Sequence, residues 1–327
     1  MPAQIDNLFQ GKAYGTVAQR LQAMNFNINA LRTNDTLRKD EWKEYDKAVI
    51  AAAQRRLRGV ADLMSRGLVY RIGGNGLAKT VLEYEDQSDF EDAQVSMDAI
   101  TRGRKDRLEF DINYLPLPIT HHDFTINARV LAASRTTGQP LDTSQAELAA
   151  EKVAEKIESM LFTGLNTFTF GGGSLYGYTD FPFRTTRAIG TDWASDTGAN
   201  ILADVINMKQ DAINDRHYGP YVLYVPTNYE TVLDKDYDTT TPGTTIRERI
   251  LKVDNIAGVQ VADFLTSSNV LLVQMSPNTI RMVEGLKVTT VEWQTEGGMV
   301  HHFKVMAILV PQPRADQNDR SGIVHLS

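Results

Sequence analysis

One long amphipathic helix is the sequence feature that most constrains the fold of this chain. Ser144 and Glu147 have capping-box spacing, and Gly164 follows as a C-terminal stop. Apolar side chains recur between them at steps of three and four residues: Ala146, Ala149, Val153, Ile157, Met160 and Leu161. The other face carries charged side chains: Glu147, Glu151, Lys152, Glu155, Lys156 and Glu158. A helix from Ser144 to Thr163 would be about 30 Å long, with sheet, loop and shorter helices before and after it.

The composition is that of a soluble globular protein. The 327 residues are 42% hydrophobic and 23% charged, and the length predicts about two domains. A net charge of −7 and a pI near 5.4 argue against a protein that grips nucleic acid through a basic face. An acidic wall can still enclose nucleic acid without adhering to it.

Several classes of site and segment are excluded by simple absences in the sequence. No cysteine is present, which excludes disulfides and thiolate zinc sites. The first residues lack the basic and then apolar organisation of a signal peptide. No apolar run is long enough to cross a bilayer, so we expect no membrane span.

The first third of the chain is predicted to be a helix followed by strands. Asn34–Arg66 is predicted as a helix, and Val81–Tyr84, Leu108–Ile112 and Ile119–Ile126 as strands. A charged stretch, Glu85–Arg107, separates the first two strands. Because it is long for a loop in a compact domain, it indicates either a hairpin that reaches away from the body or a solvated surface loop.

The second half of the chain is predicted as a small α/β layer followed by strands. Helices and strands alternate over residues 184–275. From Thr279 onward the pattern predicts strands only, with a hairpin turn at Gly297 and Gly298. The closing segment, GIVHLS, is predicted as an additional edge strand.

No arrangement of catalytic or ligand-binding residues is recognisable. The adjacent pairs His121–His122 and His301–His302 lie on predicted strands, where neighbouring side chains point to opposite faces and cannot share a metal ion. The triple glycine Gly171–Gly173 lacks the GK[ST] of a phosphate loop and predicts a flexible turn. We therefore expect no catalytic residue, no cofactor and no metal site.

The order of several short motifs resembles a known family. The motifs are KDEWKEYDKAV, then AEKVAEKIESMLFTG, LYGYTDFP, GPYVLYVPTNYE and FKVMAILVPQP, in that order. This order resembles the encapsulin-like branch of the tailed-phage major capsid proteins over roughly residues 37–312. The resemblance implies an α+β fold, the Hong Kong 97-like capsid fold, with an N-terminal arm, an extended loop, a peripheral domain with a long spine helix, and an axial domain.

The resemblance also implies domain boundaries and contact residues. The segments are an N-terminal arm (1–36), the N-terminal helix of the peripheral domain (37–84), the extended loop (85–116), the peripheral domain with its spine helix (117–182), the axial domain (183–265), and peripheral strands with the C-terminal tail (266–327). The extended loop would overlap a neighbouring subunit, and the axial tip would meet its symmetry mates. The residues expected at these contacts are Asp89, Arg102, Arg104, Lys105, Arg107, Asp236, Tyr237 and Asp238.

The function implied by the resemblance is that of a major capsid protein. Many copies would form pentamers and hexamers of an icosahedral shell, which would enclose phage double-stranded DNA without sequence-specific binding. Scaffold, portal or decoration proteins would be separate partners, and the protein would reside in the virion after assembly in the host cytoplasm. One alternative is an encapsulin nanocompartment that encloses cargo enzymes. Another is a soluble α/β enzyme that remains a monomer or small oligomer.

Overall fold

The computed structural model describes residues 49, 58–73, 76–87, 97, 110–130, 132, 144–238, 243–316 and 318–327. The expected N-terminal arm, the predicted helix before residue 58 except residue 49, and the charged stretch Glu85–Arg107 except residues 85–87 and 97 lie outside the described residues. The described chain forms two compact units. Of the described residues, unit 1 contains those within 1–80, 117–161 and 282–311, and unit 2 contains those within 81–116, 162–281 and 312–327.

The described secondary structure includes five α-helices, thirteen strands, three short 3₁₀ helices and a helical stretch at residues 128–130. The helices are α1 (Arg58–Ser65), α2 (Ser144–Thr163), α3 (Gly198–Asn214), α4 (Glu230–Leu233) and α5 (Ile246–Leu251). The first strands are β1 (Val69–Arg71), β2 (Val81–Gln87), β3 (Phe110–Pro116), β4 (Thr120–Asn127), β5 (Leu165–Phe170), β6 (Gly173–Leu175) and β7 (Thr185–Arg187). The later strands are β8 (Tyr221–Pro226), β9 (Ile256–Ala262), β10 (Val270–Gln274), β11 (Ile280–Thr295), β12 (Val300–Pro313) and β13 (Ile323–Leu326).

Unit 1 combines a four-stranded sheet with the long helix α2. The strand order is β1-β11-β12-β4, with β1 parallel to β11 and β4 antiparallel to β12. Helix α2 has the predicted bounds, and its predicted apolar stripe from Ala146 to Leu161 is buried. One member of its predicted charged face differs: Glu158 is only 3% exposed. Its carboxylate accepts hydrogen bonds from the backbone N–H groups of Gly59, at 2.6 Å, and Val60, at 3.3 Å, so it joins α2 to α1.

Unit 2 contains a five-stranded sheet in the order β7-β13-β10-β8-β9. Strands β8 and β9 are parallel, as are β13 and β7, and β10 is antiparallel to both of its neighbours. The core of this layer includes Trp193, Val205, Met208 and Tyr229, all fully buried. The predicted alternation of helices and strands over residues 184–275 is therefore present.

The position of the C-terminal strand differs from the prediction. Strand β13 was expected at a sheet edge and instead lies between β7 and β10. All four of its residues are buried, which an interior position requires. The five-stranded sheet also contains β10, so it extends past the domain boundary expected at residue 265.

Two short hairpin ribbons complete unit 2. In the first, β2 pairs antiparallel with β3 from Val81↔Pro116 to Gln87↔Phe110, so the expected extended loop begins as a regular hairpin. In the second, β5 pairs with β6 across the turn at Gly171 and Gly172. Both turn glycines have positive φ, 60° and 86°, a conformation that glycine adopts without steric cost.

Candidate functional site

The histidine pairs occupy positions suited to structure rather than to metal binding. His301 is buried, with its Nδ1 3.0 Å from Glu292 Oε1, whereas the adjacent His302 stacks on Trp293 with ring centroids 5.2 Å apart. The two rings therefore lie on opposite faces of β12, as the alternation of side chains along a strand predicts. Among the described residues, no group of three His, Cys, Asp or Glu side chains is placed to hold a metal ion. No helix in the described part of the chain is both long and apolar enough to span a membrane.

The most distinctive surface feature of unit 2 is the base of the β2–β3 hairpin, which is held on both faces. On one face Leu82 and Leu115 are buried, and the guanidinium of Arg314 lies over the ring of Tyr84, 5.9 Å from its centroid. This contact suits the negative face of an aromatic ring. It joins the hairpin to the chain that follows β12.

The triple glycine packs against the other face of this hairpin. A Cβ atom at Gly173 would overlap the backbone carbonyl of Tyr114, and one at Gly171 would lie 2.7 Å from Val81 Cγ2. The Gly172 position lies 3.6 Å from the Tyr114 ring. The predicted turn is therefore present. Its glycines form the turn and also allow its backbone to approach a neighbouring strand closely. The two ribbons are held against each other by contacts that only glycine permits.

Hydrogen bonds join the two described ends of the segment Asp234–Thr245, in which residues 239–242 are not described. The Tyr237 N–H donates to Thr244 O at 2.9 Å, and the Ile246 N–H donates to Lys235 O at 3.0 Å. Helix α5 starts here with a capping box in which Thr245 and Glu248 exchange hydrogen bonds. These bonds give the loop a defined shape at its base.

Three of the predicted contact residues are consecutive in this segment: Asp236, Tyr237 and Asp238. Asp236 and Asp238 are exposed, while Tyr237 is half-buried beneath the guanidinium of Arg249, 5.9 Å from the ring centroid. The remaining five, Asp89, Arg102, Arg104, Lys105 and Arg107, lie outside the described residues. Sequence reasoning did not single out Phe168 and Phe170, which are exposed on β5. Their signal was the alternation of aromatic and polar residues in LNTFTF.

Three of the motifs that carried the resemblance meet at the C-terminal end of α2. The rings of Phe162, Tyr178 and Tyr224 come from α2, from LYGYTDFP and from GPYVLYVP, with centroids 5.2 to 5.9 Å apart. Thr179 donates hydrogen bonds to Phe162 O from both its backbone N–H and its hydroxyl. The motifs are therefore structural, since they join the end of the long helix to β8.

Asp180 completes this junction. Its carboxylate accepts a 2.6 Å hydrogen bond from the Gly177 N–H, and partial burial raises its pKa above the usual value despite that bond. A Cβ at Gly164 would overlap the same carboxylate, so Gly164 both ends the helix and makes room for Asp180. The positive φ of Gly164, 72°, is consistent with the predicted stop.

Comparison with known proteins places this fold among shell proteins. The type 1 encapsulin shell protein EncA of Myxococcus xanthus is 25% identical over 211 residues, which span 62% of this chain and just under two thirds, 66%, of that protein. The structure of the virus-like particle from Pyrococcus furiosus matches with a TM-score of 0.63 at 19% identity. The match covers 87% of this chain and 98% of the chain of that particle. The capsid of Myoviridae phage XM1 also has a TM-score of 0.63, at 12% identity, over 80% of this chain and 90% of its own.

These similarities confirm the predicted resemblance and fold class. The structural matches are at low identity and concern the fold, which is the Hong Kong 97-like capsid fold. A family model described as a family of unknown function, DUF6260, matches residues 29–326, nearly the whole chain. The chain therefore belongs to the DUF6260 family.

Proposed function

We propose that this chain is a non-enzymatic shell subunit, many copies of which assemble into a closed icosahedral container. The observation that supports this most strongly is the extent of the structural match. The similarity covers 98% of the subunit of the Pyrococcus furiosus virus-like particle and 90% of the phage XM1 capsid chain. The first match covers 87% of this chain, which is more than either compact unit contains.

Assembly would rest on several moderate contacts repeated around each subunit. A specific interface typically buries about 1,200–2,000 Å². A subunit that makes several such contacts at once gains stability through multivalency, even when each pair is weak. We propose that the loop at residues 85–116 makes one of these contacts, and that Asp236, Tyr237 and Asp238 make another within pentamers and hexamers.

The content that we propose for the shell is phage double-stranded DNA, held without sequence-specific binding. The net charge of −7 would limit adhesion between the wall and packaged DNA. Separate scaffold, portal and decoration proteins would be the further partners, and the protein would be located in the virion after assembly in the host cytoplasm.

An encapsulin nanocompartment that encloses enzymes is the second candidate. The observation that favours it is the 25% identity with the encapsulin shell protein EncA. The two candidates share the shell and differ only in what it contains, so one preparation can distinguish them.

The test starts from the purified chain and from particles isolated from the cells that produce it. Size-exclusion chromatography and negative-stain microscopy should show closed particles of megadalton mass. A chain that remains monomeric or dimeric under all assembly conditions would contradict the shell and favour a small soluble enzyme. In the isolated particles, nuclease-protected DNA would support the capsid, whereas a co-purifying enzyme identified by mass spectrometry would support the compartment.

A further inference from the structure

Four large apolar side chains are exposed on the two ribbons of unit 2. They are Ile112 and Tyr114 of β3, with 55% and 38% exposure, and Phe168 and Phe170 of β5, with 38% and 52% exposure. We call these four side chains the apolar face. Isolated exposed apolar residues are common, but several on two ribbons that contact each other through β3 and β6 indicate an interaction surface. Aromatic residues are also enriched where binding energy concentrates.

Close backbone contacts join the two ribbons that carry the apolar face. Phe170 pairs with Gly173, and the backbone of Gly173 lies directly against the carbonyl of Tyr114. A surface whose parts are already held together loses little conformational freedom when a partner binds. The close approach of the glycine turn therefore prepares this surface for docking.

Acidic side chains flank the apolar face. Glu83 pairs directly with Tyr114 across the β2–β3 ladder, and Glu85 pairs with Ile112. Both carboxylates are on exposed residues. Aromatic rings beside carboxylates suit an arginine-rich partner, because guanidinium groups bind carboxylates and also stack on aromatic faces.

The same chain contains a matching basic segment. Residues 102–107 carry Arg102, Arg104, Lys105 and Arg107 against one acidic residue, Asp106, a net charge of +3. We propose that the apolar face, with Glu83 and Glu85, is a docking surface for residues 102–107 of a second copy of this chain. This inference rests on the proposed function and names the surface on which one subunit receives the loop of another.

The proposed function favours a second copy as the partner. In a shell of many copies, each docking surface has a neighbouring copy's basic segment available to it. Each copy would then offer one docking surface and one basic segment, which is the head-to-tail arrangement that closes rings.

Two charge-reversed variants test the proposal. In the first, Glu83→Lys and Glu85→Lys make the docking surface basic. In the second, Arg102→Glu, Arg104→Glu, Lys105→Glu and Arg107→Glu make the segment acidic. Each variant alone should need at least a tenfold higher protein concentration to assemble than the unmodified chain, because like charges meet at the contact. A third variant, Asp254→Lys with Asp263→Lys, makes the same charge change as the first at exposed positions elsewhere in unit 2 and should assemble more readily than the first.

Mixing the first two variants decides whether the contact lies between copies. Below the concentration at which the first variant assembles alone, a tagged copy of it should capture the purified untagged second variant but not an untagged copy of itself. Failure of the mixture to associate, or assembly of the first variant at the unmodified concentration, would overturn the proposal. These outcomes leave the shell intact as long as the unmodified chain assembles. If the unmodified chain forms no particles, the proposed function itself fails.

The aromatic part of the surface has its own test. Phe170→Ala removes an exposed ring, so the thermal midpoint of the unassembled chain should change little. The concentration needed for assembly should rise several-fold, because the ring would be buried only in the contact. Unchanged assembly would remove Phe170 from the docking surface and contradict the proposal at this residue.

Discussion

At the residue scale, Glu158 shows how one buried carboxylate joins two helices. Its carboxylate accepts the backbone N–H groups of Gly59 and Val60 and is 3% exposed. Glu158→Ala would leave both donors buried without this acceptor, so we expect the free energy of unfolding to fall by about 3 kcal/mol. Urea unfolding measures the change. Glu158→Gln keeps one acceptor oxygen and should lose clearly less, and equal midpoints for the alanine variant and the unmodified chain would contradict this role.

The imidazole of His325 predicts a dependence of stability on pH. Its Nδ1 accepts from Arg184 Nε at 3.3 Å, so Nε2 carries the proton and donates to Asn269 Oδ1 at 2.7 Å. Burial, together with the charge of Arg184, lowers the pKa of His325 from 6.5 to about 4. As pH falls from 6.5 towards 4, the unfolded chain binds a proton that the folded chain does not. Stability should therefore fall by about 3 kcal/mol across that window.

Replacement of this histidine checks the assignment. His325→Gln cannot titrate, so urea unfolding at pH 7, 5.5 and 4 should show a shallower loss of stability in the variant than in the unmodified chain. At pH 7 the variant is expected to be less stable than the unmodified chain, because the imidazole that bonds to both Arg184 and Asn269 is replaced. The same pH slope in both proteins would show that His325 is not the group responsible.

Sequence patterns predicted the environment of single residues correctly where that environment depends on neighbours in the sequence. The predicted bounds of α2, Ser144–Thr163, are correct, and Gly164 follows them with a positive φ. Glu158 was predicted on the charged face of α2 because spacing alone places it there. Its burial depends on Gly59, 99 residues away in sequence, and no periodicity carries that information.

At the scale of elements, the turn at Gly171–Gly173 packs closely against the β2–β3 hairpin. A Cβ at Gly173 would overlap Tyr114 O, so Gly173→Ala should push the turn away from the hairpin and cost about 1–3 kcal/mol. Amide hydrogen exchange in β2 and β3 should become faster. Gly190→Ala is the matched control, since no atom lies within 4 Å of its Cβ position. Equal exchange in both variants would contradict the role of the turn.

Strand positions were predicted more reliably than strand ends or sheet order. The second strand of the hairpin was predicted at Leu108–Ile112 and is found at Phe110–Pro116, because pairing with Val81–Gln87 selects the register. The last strand was predicted at an edge from its position at the end of the chain. Ile323, Val324 and Leu326 are apolar on both faces of the strand, the pattern typical of an interior position.

At the scale of the whole molecule, the chain has the Hong Kong 97-like capsid fold. Within the described residues, the conspicuous surfaces are the hairpin base with its apolar face and the turn around Tyr237, and both suit contact with other chains. The order of motifs was sufficient to predict the fold because the motifs meet in space at Phe162, Tyr178 and Tyr224. The content of the shell was not predictable, since it depends on surfaces that exist only after assembly.

Deletion of residues 89–104 tests the loop at this scale. Strands β2 and β3 are held by the glycine turn and Arg314, and the deletion would leave six residues, 88 and 105–109, to close their hairpin. We expect a folded monomer by circular dichroism and no closed particles by negative stain. A second variant replaces residues 89–104 with a Gly/Ser segment of the same length, so it keeps the length of the loop and removes its side chains. This variant should also fail to form closed particles. Closed shells from the deletion variant would refute the role proposed for the loop.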